Sequence, residues 1–255
     1  MQLFGFDLSS LLPFIAIGFL AQIVDGALGM AFGVIANTSL LWMGVPPALA
    51  SSYVHIIKAF TGGVGGISHA LHRNVDWKLC LRLSLSGIVG GVIGAYVLSN
   101  IHAEVARPFV LGYLALIGLY ILWRGLGHVF TEKPAKIVEP IGAVGGFLDA
   151  TGGGGWGPVV TSNLLIQGGN PRMTVGTVNV AEFFVAVAVS ITFMLSLGFE
   201  DFTAPVVGLL IGGVIAAPAG AWLTKHIPAR PLMILVGIVL TITSLFGIAK
   251  ALQLV

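Results

Sequence analysis

Long apolar stretches fill most of this chain, and short polar links separate them. A helix needs about 20 consecutive apolar residues to cross a membrane, and several stretches have close to that length. They are 48–70, 79–98, 108–123, 173–195, 204–223 and a last one that opens at Arg230-Pro231. The pattern predicts an all-α integral membrane protein.

A further apolar segment precedes these helices in each half of the chain, and a glycine-rich break that carries one acid interrupts it. The first break, Asp25-Gly-Ala-Leu-Gly-Met-Ala-Phe-Gly33, separates arms at 11–25 and 30–43. An arm of roughly 14 residues reaches only about 21 Å, short of a hydrocarbon core about 30 Å thick. We expect half-helices in a re-entrant hairpin with its tip near mid-membrane. Two tilted arms that both cross are the alternative.

The second break, Asp149-Ala-Thr-Gly-Gly-Gly-Gly-Trp-Gly157, follows the first at an offset of 124 residues. Its arms are 137–147 and 156–166. At the same offset the sequence matches Gly29 with Gly153, Gly33 with Gly157, Gly44 with Gly168 and Pro47 with Pro171. This self-similarity predicts two homologous membrane repeats, 1–130 and 131–255, each a broken hairpin plus three transmembrane helices.

Charges in the links predict how the two repeats are oriented. The link after the first full-length helix contains His72, Arg73 and Lys78, whereas its counterpart contains Glu200 and Asp201. Positive links lie on the cytoplasmic side, so the two links are expected on opposite faces. This predicts an inverted-topology repeat with the N-terminus outside. A single kinked helix in place of each hairpin would give parallel halves, against these charges.

Composition narrows the class of protein. The chain is 56% hydrophobic and 9% charged, with a mean hydropathy of +1.01, whereas a soluble domain has about 25% charged residues. The net charge of +2 comes without a basic run, so we expect no nucleic-acid partner. The single cysteine, Cys80, excludes an internal disulfide and a cysteine metal cluster. We expect no cofactor and no metal.

The acids of the breaks, Asp25 and Asp149, permit two compatible interpretations. An aspartate before a helix accepts bonds from unpaired backbone N–H groups, which would make both residues N-caps. Ionisable groups at membrane depth also mark ion pathways, which would make them sites of proton or cation coupling.

The breaks also predict a substrate site. Two helix N-termini that meet at mid-membrane present free N–H groups to an anion, and polar side chains in the second arms can add donors. The candidate substrate-binding residues in this region are Gly29, Met30, Asn37, Thr38, Gly153, Gly154, Thr161, Ser162 and Asn163. Ordinary interhelical hydrogen bonding and close glycine packing are the alternatives.

Lys58 lies near the middle of an apolar helix, and the offset of 124 places Glu182 at the equivalent position. His55 corresponds to Asn179 in the same way, and helical spacing puts each set on one face. A buried Lys–Glu pair across the pseudo-twofold axis is one interpretation. In the other, Lys58 receives an anionic substrate with His55 and Asn179 nearby, and Glu182 is its partner or a proton carrier.

Enzymatic motifs are missing from the sequence. It contains no H-E-x-x-H, no G-x-S-x-G and no Walker loop, because the glycines at 152–157 lack the G-K-[ST] ending. We therefore expect a protein that is not an enzyme.

Several motifs together resemble the sulfite exporter TauE/SafE family. They are Gln22-Ile-Val-Asp-Gly-Ala-Leu-Gly-Met-Ala-Phe-Gly33, Pro46-Pro47-Ala48, Asn74-Val-Asp-Trp77, Gly90-Gly-Val-Ile-Gly-Ala95 and Gly-Gly-Gly-Gly-Trp-Gly157. The resemblance implies a multi-pass permease of the cell inner (plasma) membrane that moves sulfite, sulfonates or related organic acids outward. It also implies that the glycine tips and their polar neighbours contribute to the site.

Three functions remain open at this point. Export of a sulfur-containing anion by alternating access is the first, and a proton- or sodium-coupled importer of organic anions is the second. A non-transporting membrane assembly partner is the third. The expected contacts are a small anionic substrate and membrane lipid, and a homo-oligomer stays open.

Overall fold

The structure is a computed structural model that describes residues 2–3, 6–126, 136–198 and 203–219, together with 222, 230, 231, 234, 237, 238, 241, 242, 245, 248 and 249. A short antiparallel pair, β1 (Gln2–Leu3) and β2 (Phe6–Asp7), precedes the helices. The helices are α1 (Leu8–Leu28), α2 (Phe32–Trp42), α3 (Pro47–Leu71), α4 (Trp77–Ser99), α5 (Ala103–Gly125), α6 (Glu139–Gly152), α7 (Ser162–Ile166), α8 (Pro171–Leu197) and α9 (Ala204–Ala216). Apart from the short β pair, the regular structure of the described part of the chain is helical, as predicted.

The first hairpin has arms of unequal length. α1 has 21 residues and extends about 31 Å at 1.5 Å per residue, so the expectation that its arm is too short to cross a membrane is wrong. The apolar run begins at Leu8 and continues past Asp25, which lies in the last turn of the helix rather than in the break. α2 has only 11 residues. The first hairpin therefore joins a full-length arm to a half-length one.

The second hairpin is shorter in its described part. α6 has 14 residues and ends at Gly152. A π-helical turn, Gly157–Thr161, then leads into α7. Pro158 in this turn has no N–H to give to a regular α-helical ladder. The second arm of each hairpin is thus a half-helix, as the sequence predicts.

Three described helical stretches are long and apolar enough to cross a membrane, Leu8–Gly26, Trp77–Ser99 and Arg172–Leu197. α3 has 25 residues but is less apolar, because it carries Ser51, His55 and Lys58. These side chains are buried inside the protein and do not face lipid. α3 packs along α8 at the centre of the molecule.

Helices of the first half also pack against helices of the second half. α1 of the first half lies against α9 of the second, and α6 of the second lies against α4 of the first. Both contacts are backbone to backbone. A methyl group on Gly90 would overlap the carbonyl of Ala143, and one on Gly212 would overlap that of Ile15. Small residues permit this approach, which is typical of membrane helices.

Several predicted segments lie outside the described residues. They include most of the link at 124–136, the acidic link with Glu200 and Asp201, and most of the last helix. Arg230 is described, and its guanidinium donates to the carbonyls of Gly125 and Leu126 at the end of α5. The placement of corresponding links on opposite faces stays a prediction.

Candidate functional site

The two glycine-rich breaks contact each other at the centre of the molecule. A methyl group on Gly33 would lie 3.0 Å from Cα of Gly154, and one on Gly157 would lie 2.5 Å from Cα of Met30, the residue that corresponds to Gly154. These are equivalent contacts, because Gly33 corresponds to Gly157 at the offset of 124. The two breaks therefore contact each other through corresponding residues.

Backbone geometry repeats at the two breaks. Gly29 and Gly153, the C-caps of α1 and α6, both have a φ of 65° in the left-handed region that glycine adopts without strain. The repeats differ two residues later. Ala31 has a φ of 109°, a strained value for a residue with a Cβ, whereas the second break has Gly155 at that position.

Asp25 and Asp149 cap the second arms from inside the molecule. The Oδ1 atom of Asp25 accepts a bond from the N–H of Phe32 at 3.1 Å. That of Asp149 accepts from Gly155 at 2.6 Å and Trp156 at 2.9 Å. Neither acid is an N-cap residue, because Asp25 lies within α1 and Asp149 within α6. Their carboxylates nevertheless accept from backbone N–H groups at the starts of the second arms, as the capping interpretation requires. The expectation that these N–H groups are free for a substrate is wrong at Phe32, Gly155 and Trp156, since the protein's own carboxylates occupy them.

Polar side chains of the second arms link each break to the opposite half. Asn37 donates from Nδ2 to the carbonyl of Gly152 at 2.6 Å, and Thr161 donates from Oγ1 to the carbonyl of Gly29 at 2.9 Å. Asn37 and Thr161 are equivalent residues of the two repeats. Their bonds satisfy carbonyls at the ends of α1 and α6, where intrahelical donors are missing.

A buried ionic group lies between the central helices and the first break. The ammonium of Lys58 donates to Oε1 of Glu182 at 2.6 Å and lies 3.6 Å from Oδ1 of Asp25. The three side chains are at most 6% exposed. The structure thus contains a buried pair between Lys58 and Glu182, which are equivalent at the offset of 124, and Asp25 joins it.

His55 forms the second half of the ionic cluster. Its Nε2 atom lies 3.1 Å from Oδ2 of Asp149, and its Nδ1 atom lies 2.7 Å from the carbonyl oxygen of Ser51. The Ser51 hydroxyl donates to the carbonyl of Ala150 at 2.6 Å. α3 therefore contacts the second break through His55 and the first break through Lys58. We call Asp25, His55, Lys58, Asp149 and Glu182 the central cluster.

The other predicted residues have less direct positions. Asn163 and Asn179 donate to carbonyls within their own segments, those of Val159 and Val175. Thr38 is buried, and among the described residues its hydroxyl has no hydrogen-bond partner. The side chain of Ser162 lies outside the described part of the structure. Met30 is buried against Gly157.

Sequence reasoning missed Tyr113 of α5. Its ring packs against Gly152 and its hydroxyl against Gly155, so it supports the second break from the side. The hydroxyl is buried, and no partner for it occurs among the described residues. The repeat could not indicate this residue, because Gly237 occupies the equivalent position.

The central cluster contains three carboxylates, one lysine and one histidine. In the described part of the chain, no group of three or more His, Cys, Asp and Glu side chains is arranged to hold a metal ion. The cluster can pair charges, exchange protons and hold the breaks together.

Comparison with known proteins adds the family. The chain is 42% identical over 242 residues to the probable membrane transporter protein YtnM of Bacillus subtilis. The matched region covers 90% of this chain and 80% of that protein. It is 26% identical over 259 residues to the probable membrane transporter protein ORF9 of a Sinorhizobium species, with 95% and 94% covered. The chain is also 23% identical over 125 residues to the sulfite exporter TauE/SafE family protein 3 of Arabidopsis thaliana. This match covers 49% of this chain and 26% of that protein.

No solved structure matches the chain. The family model described as sulfite exporter TauE/SafE matches residues 14–247, which include both breaks and the central cluster. The chain therefore belongs to the sulfite exporter TauE/SafE family, and it is a membrane transporter and not an enzyme.

Proposed function

We propose that this protein exports small sulfur-containing anions, such as sulfite or a sulfonate, by alternating access around the joined breaks. The observation that carries the proposal is the burial of the central cluster where the two breaks meet. Charged groups at membrane depth are costly and mark transport pathways. Discontinuous helices at a repeat interface form the substrate sites of many secondary transporters.

The anion would bind next to Lys58, the cluster's one lysine. In the present arrangement Glu182 and Asp25 surround its ammonium, so binding requires that Lys58 exchange a carboxylate for the substrate. The unpartnered hydroxyl of Thr38 is a further donor. Asn37 lies beside it on α2 and already contacts Gly153.

Inversion of the repeats would supply the mechanism. If the halves are inverted, one set of packed helices can rock against the other and open the breaks to either face in turn. The bonds from Asn37 and Thr161 across the breaks would then be made and broken in each cycle. The protein would lie in the cell inner membrane, with its N-terminus on the outer side.

Outward movement agrees with the membrane potential. An inside-negative potential favours anion exit by about 2.3 kcal/mol per charge per 100 mV. The family to which the chain belongs is described as a sulfite exporter, which supports the same direction. A carrier for anions therefore needs no further energy source for export.

Ligand binding and flux on the purified protein test this function. A thermal-shift panel of sulfite, ethanesulfonate, thiosulfate and acetate should show stabilisation by one or more of the sulfur anions, because a ligand stabilises the state that it binds. The stabilising anion should also leave preloaded proteoliposomes faster when a potential is imposed. Stabilisation by acetate alone, or no flux of any anion, would contradict the proposal.

A further inference from the structure

The hydrogen bonds of His55 determine where one proton lies. The Ser51 carbonyl can only accept, so Nδ1 of His55 carries a hydrogen. Its Nε2 atom faces Oδ2 of Asp149, while Oδ1 of Asp149 already accepts from Gly155 and Trp156. The short contact between Nε2 and Oδ2 requires a second proton between them. Whichever atom holds it, the pair of His55 and Asp149 is neutral as a unit.

The charges in the rest of the central cluster do not sum to zero. Lys58 provides one positive charge to two carboxylates, those of Glu182 and Asp25. With both carboxylates ionised, this trio and the neutral pair together have a net charge of one negative. An uncompensated charge at this depth is costly, so the cluster is poised to take up one positive charge.

A metal cation does not fit that requirement. The ammonium of Lys58 already occupies the space between Glu182 and Asp25, at 2.6 Å and 3.6 Å from their oxygens. A proton needs no such space, because it attaches to a carboxylate oxygen.

We propose that the site binds one proton together with each transported anion, and that Glu182 is the group that receives it. This inference rests on the proposed function, since it adds a coupled ion to the same site. A monoanion that arrives beside Lys58 would raise the negative excess of the cluster from one to two, and a dianion would raise it to three. Protonation of Glu182 removes one of these charges and frees Lys58 to pair with the anion.

Glu182 suits this role better than the other two acids. Asp25 and Asp149 are fixed by backbone N–H groups at the helix starts, whereas the described hydrogen bonds of Glu182 come from Lys58 alone. The charged groups that act on it are Lys58 of α3, Asp25 of α1 and Asp149 of α6. α4 also packs on α8, and its cations Lys78 and Arg82 lie in its first two turns, away from the buried cluster.

Proton coupling changes the net charge that moves. A dianion that leaves with one proton still carries one negative charge outward, so the membrane potential continues to favour export. A monoanion with one proton moves without net charge, and its concentration and pH gradients then decide the direction.

Proteoliposomes with an internal pH-sensitive dye test the coupling. The probes are [³⁵S]thiosulfate and ethanesulfonate, anions of strong acids that bind no proton themselves near neutral pH, together with [³⁵S]sulfite. The wild type should move close to one proton with each thiosulfate or ethanesulfonate, and transport should quicken as pH falls. Glu182→Gln keeps an oxygen acceptor for Lys58 but cannot be protonated, so its anion flux should occur without proton movement and without pH dependence.

Glu139→Gln is the matched control. Glu139 pairs with Arg82 and is 53% exposed, away from the central cluster, so this variant should keep the wild-type proton-to-anion ratio. Wild-type anion flux without proton movement would overturn the coupling and leave the transport function standing. A wild-type ratio in Glu182→Gln would remove Glu182 from the role. Absence of flux for all three probes in the wild type would overturn the transport function and the coupling together.

Discussion

At the scale of single residues, the two breaks differ most at Ala31. Its φ of 109° is a conformation that costs about 1–3 kcal/mol in a residue other than glycine. The second break has Gly155 in the equivalent place and avoids this cost. The first break therefore stores strain beside Lys58 and Asp25, where the proposed cycle requires the backbone to move.

Replacing Ala31 with glycine should release this strain. We expect Ala31→Gly to raise the free energy of unfolding by about 1 kcal/mol, measured by thermal or denaturant unfolding in detergent. Ala36→Gly is the control, since Ala36 is equally buried but lies within α2 and should lose about 1 kcal/mol. A loss of stability in Ala31→Gly would show that the Ala31 backbone is not strained.

At the scale of elements, the contact between the breaks depends on residues without side chains. Gly157 approaches the opposite break so closely that an added methyl group has no room, and a methyl group on Gly33 would be crowded by Gly154. Equivalent contacts of this kind were not evident from either break alone. The offset of 124 indicated that the breaks correspond, and only the packing shows that they touch.

Gly157→Ala should separate the two breaks. The new methyl group would overlap Met30 and the carbonyl of Gly29, so we expect a loss of about 1–3 kcal/mol in stability and a marked loss of transport. Gly112→Ala on α5 is the control, because no atom of the described residues lies within 4 Å of a methyl group there. Equal stability and transport in the two variants would contradict the described contact.

Hydrophobic pattern predicted most elements but not their ends. The predicted stretch 79–98 corresponds to α4, which begins two residues earlier and ends one residue later. The helix begins at Trp77 because the side chain of Asp76 caps its start. The arm at 11–25 became a full-length helix, since Gly26 and the residues after it continue the helix until Gly29 adopts a left-handed conformation. A glycine count alone does not show which glycine ends a helix.

At the scale of the whole molecule, pseudo-symmetry explains what the sequence could and could not predict for the site. A pair between Lys58 and Glu182 was one of the two interpretations of their equivalent positions, and the structure contains it. The approach of Asp25 to Lys58, and that of Asp149 to His55, depend on how the hairpins fold over α3. Tyr113 has no counterpart in the second repeat, so only its packing reveals it.

Inversion of the repeats makes a prediction for the intact protein in cells. Single cysteines at Asp76→Cys and Glu200→Cys, in a Cys80→Ser background, should react with a membrane-impermeant thiol reagent from opposite sides. Position 76 should be protected in intact cells and position 200 labelled. The Cys80→Ser parent without an added cysteine controls for background labelling. Labelling of both positions from one side would exclude inversion.

The central claim is that charge in the cluster at the joined breaks performs transport and does not merely hold the fold together. Lys58→Met leaves two buried carboxylates without their cation and should cost about 3–5 kcal/mol. The double variant Lys58→Met with Glu182→Gln removes both charges of the pair and should recover much of that stability.

Flux of the stabilising sulfur anion in this double variant is the most direct test. It should fold, as shown by its unfolding transition in detergent, yet export the anion at a small fraction of the wild-type rate from proteoliposomes. Lys78→Met, which removes an exposed cation of α4, should export at the wild-type rate. Wild-type export by the folded double variant would show that the Lys58–Glu182 pair is structural and that transport takes another path.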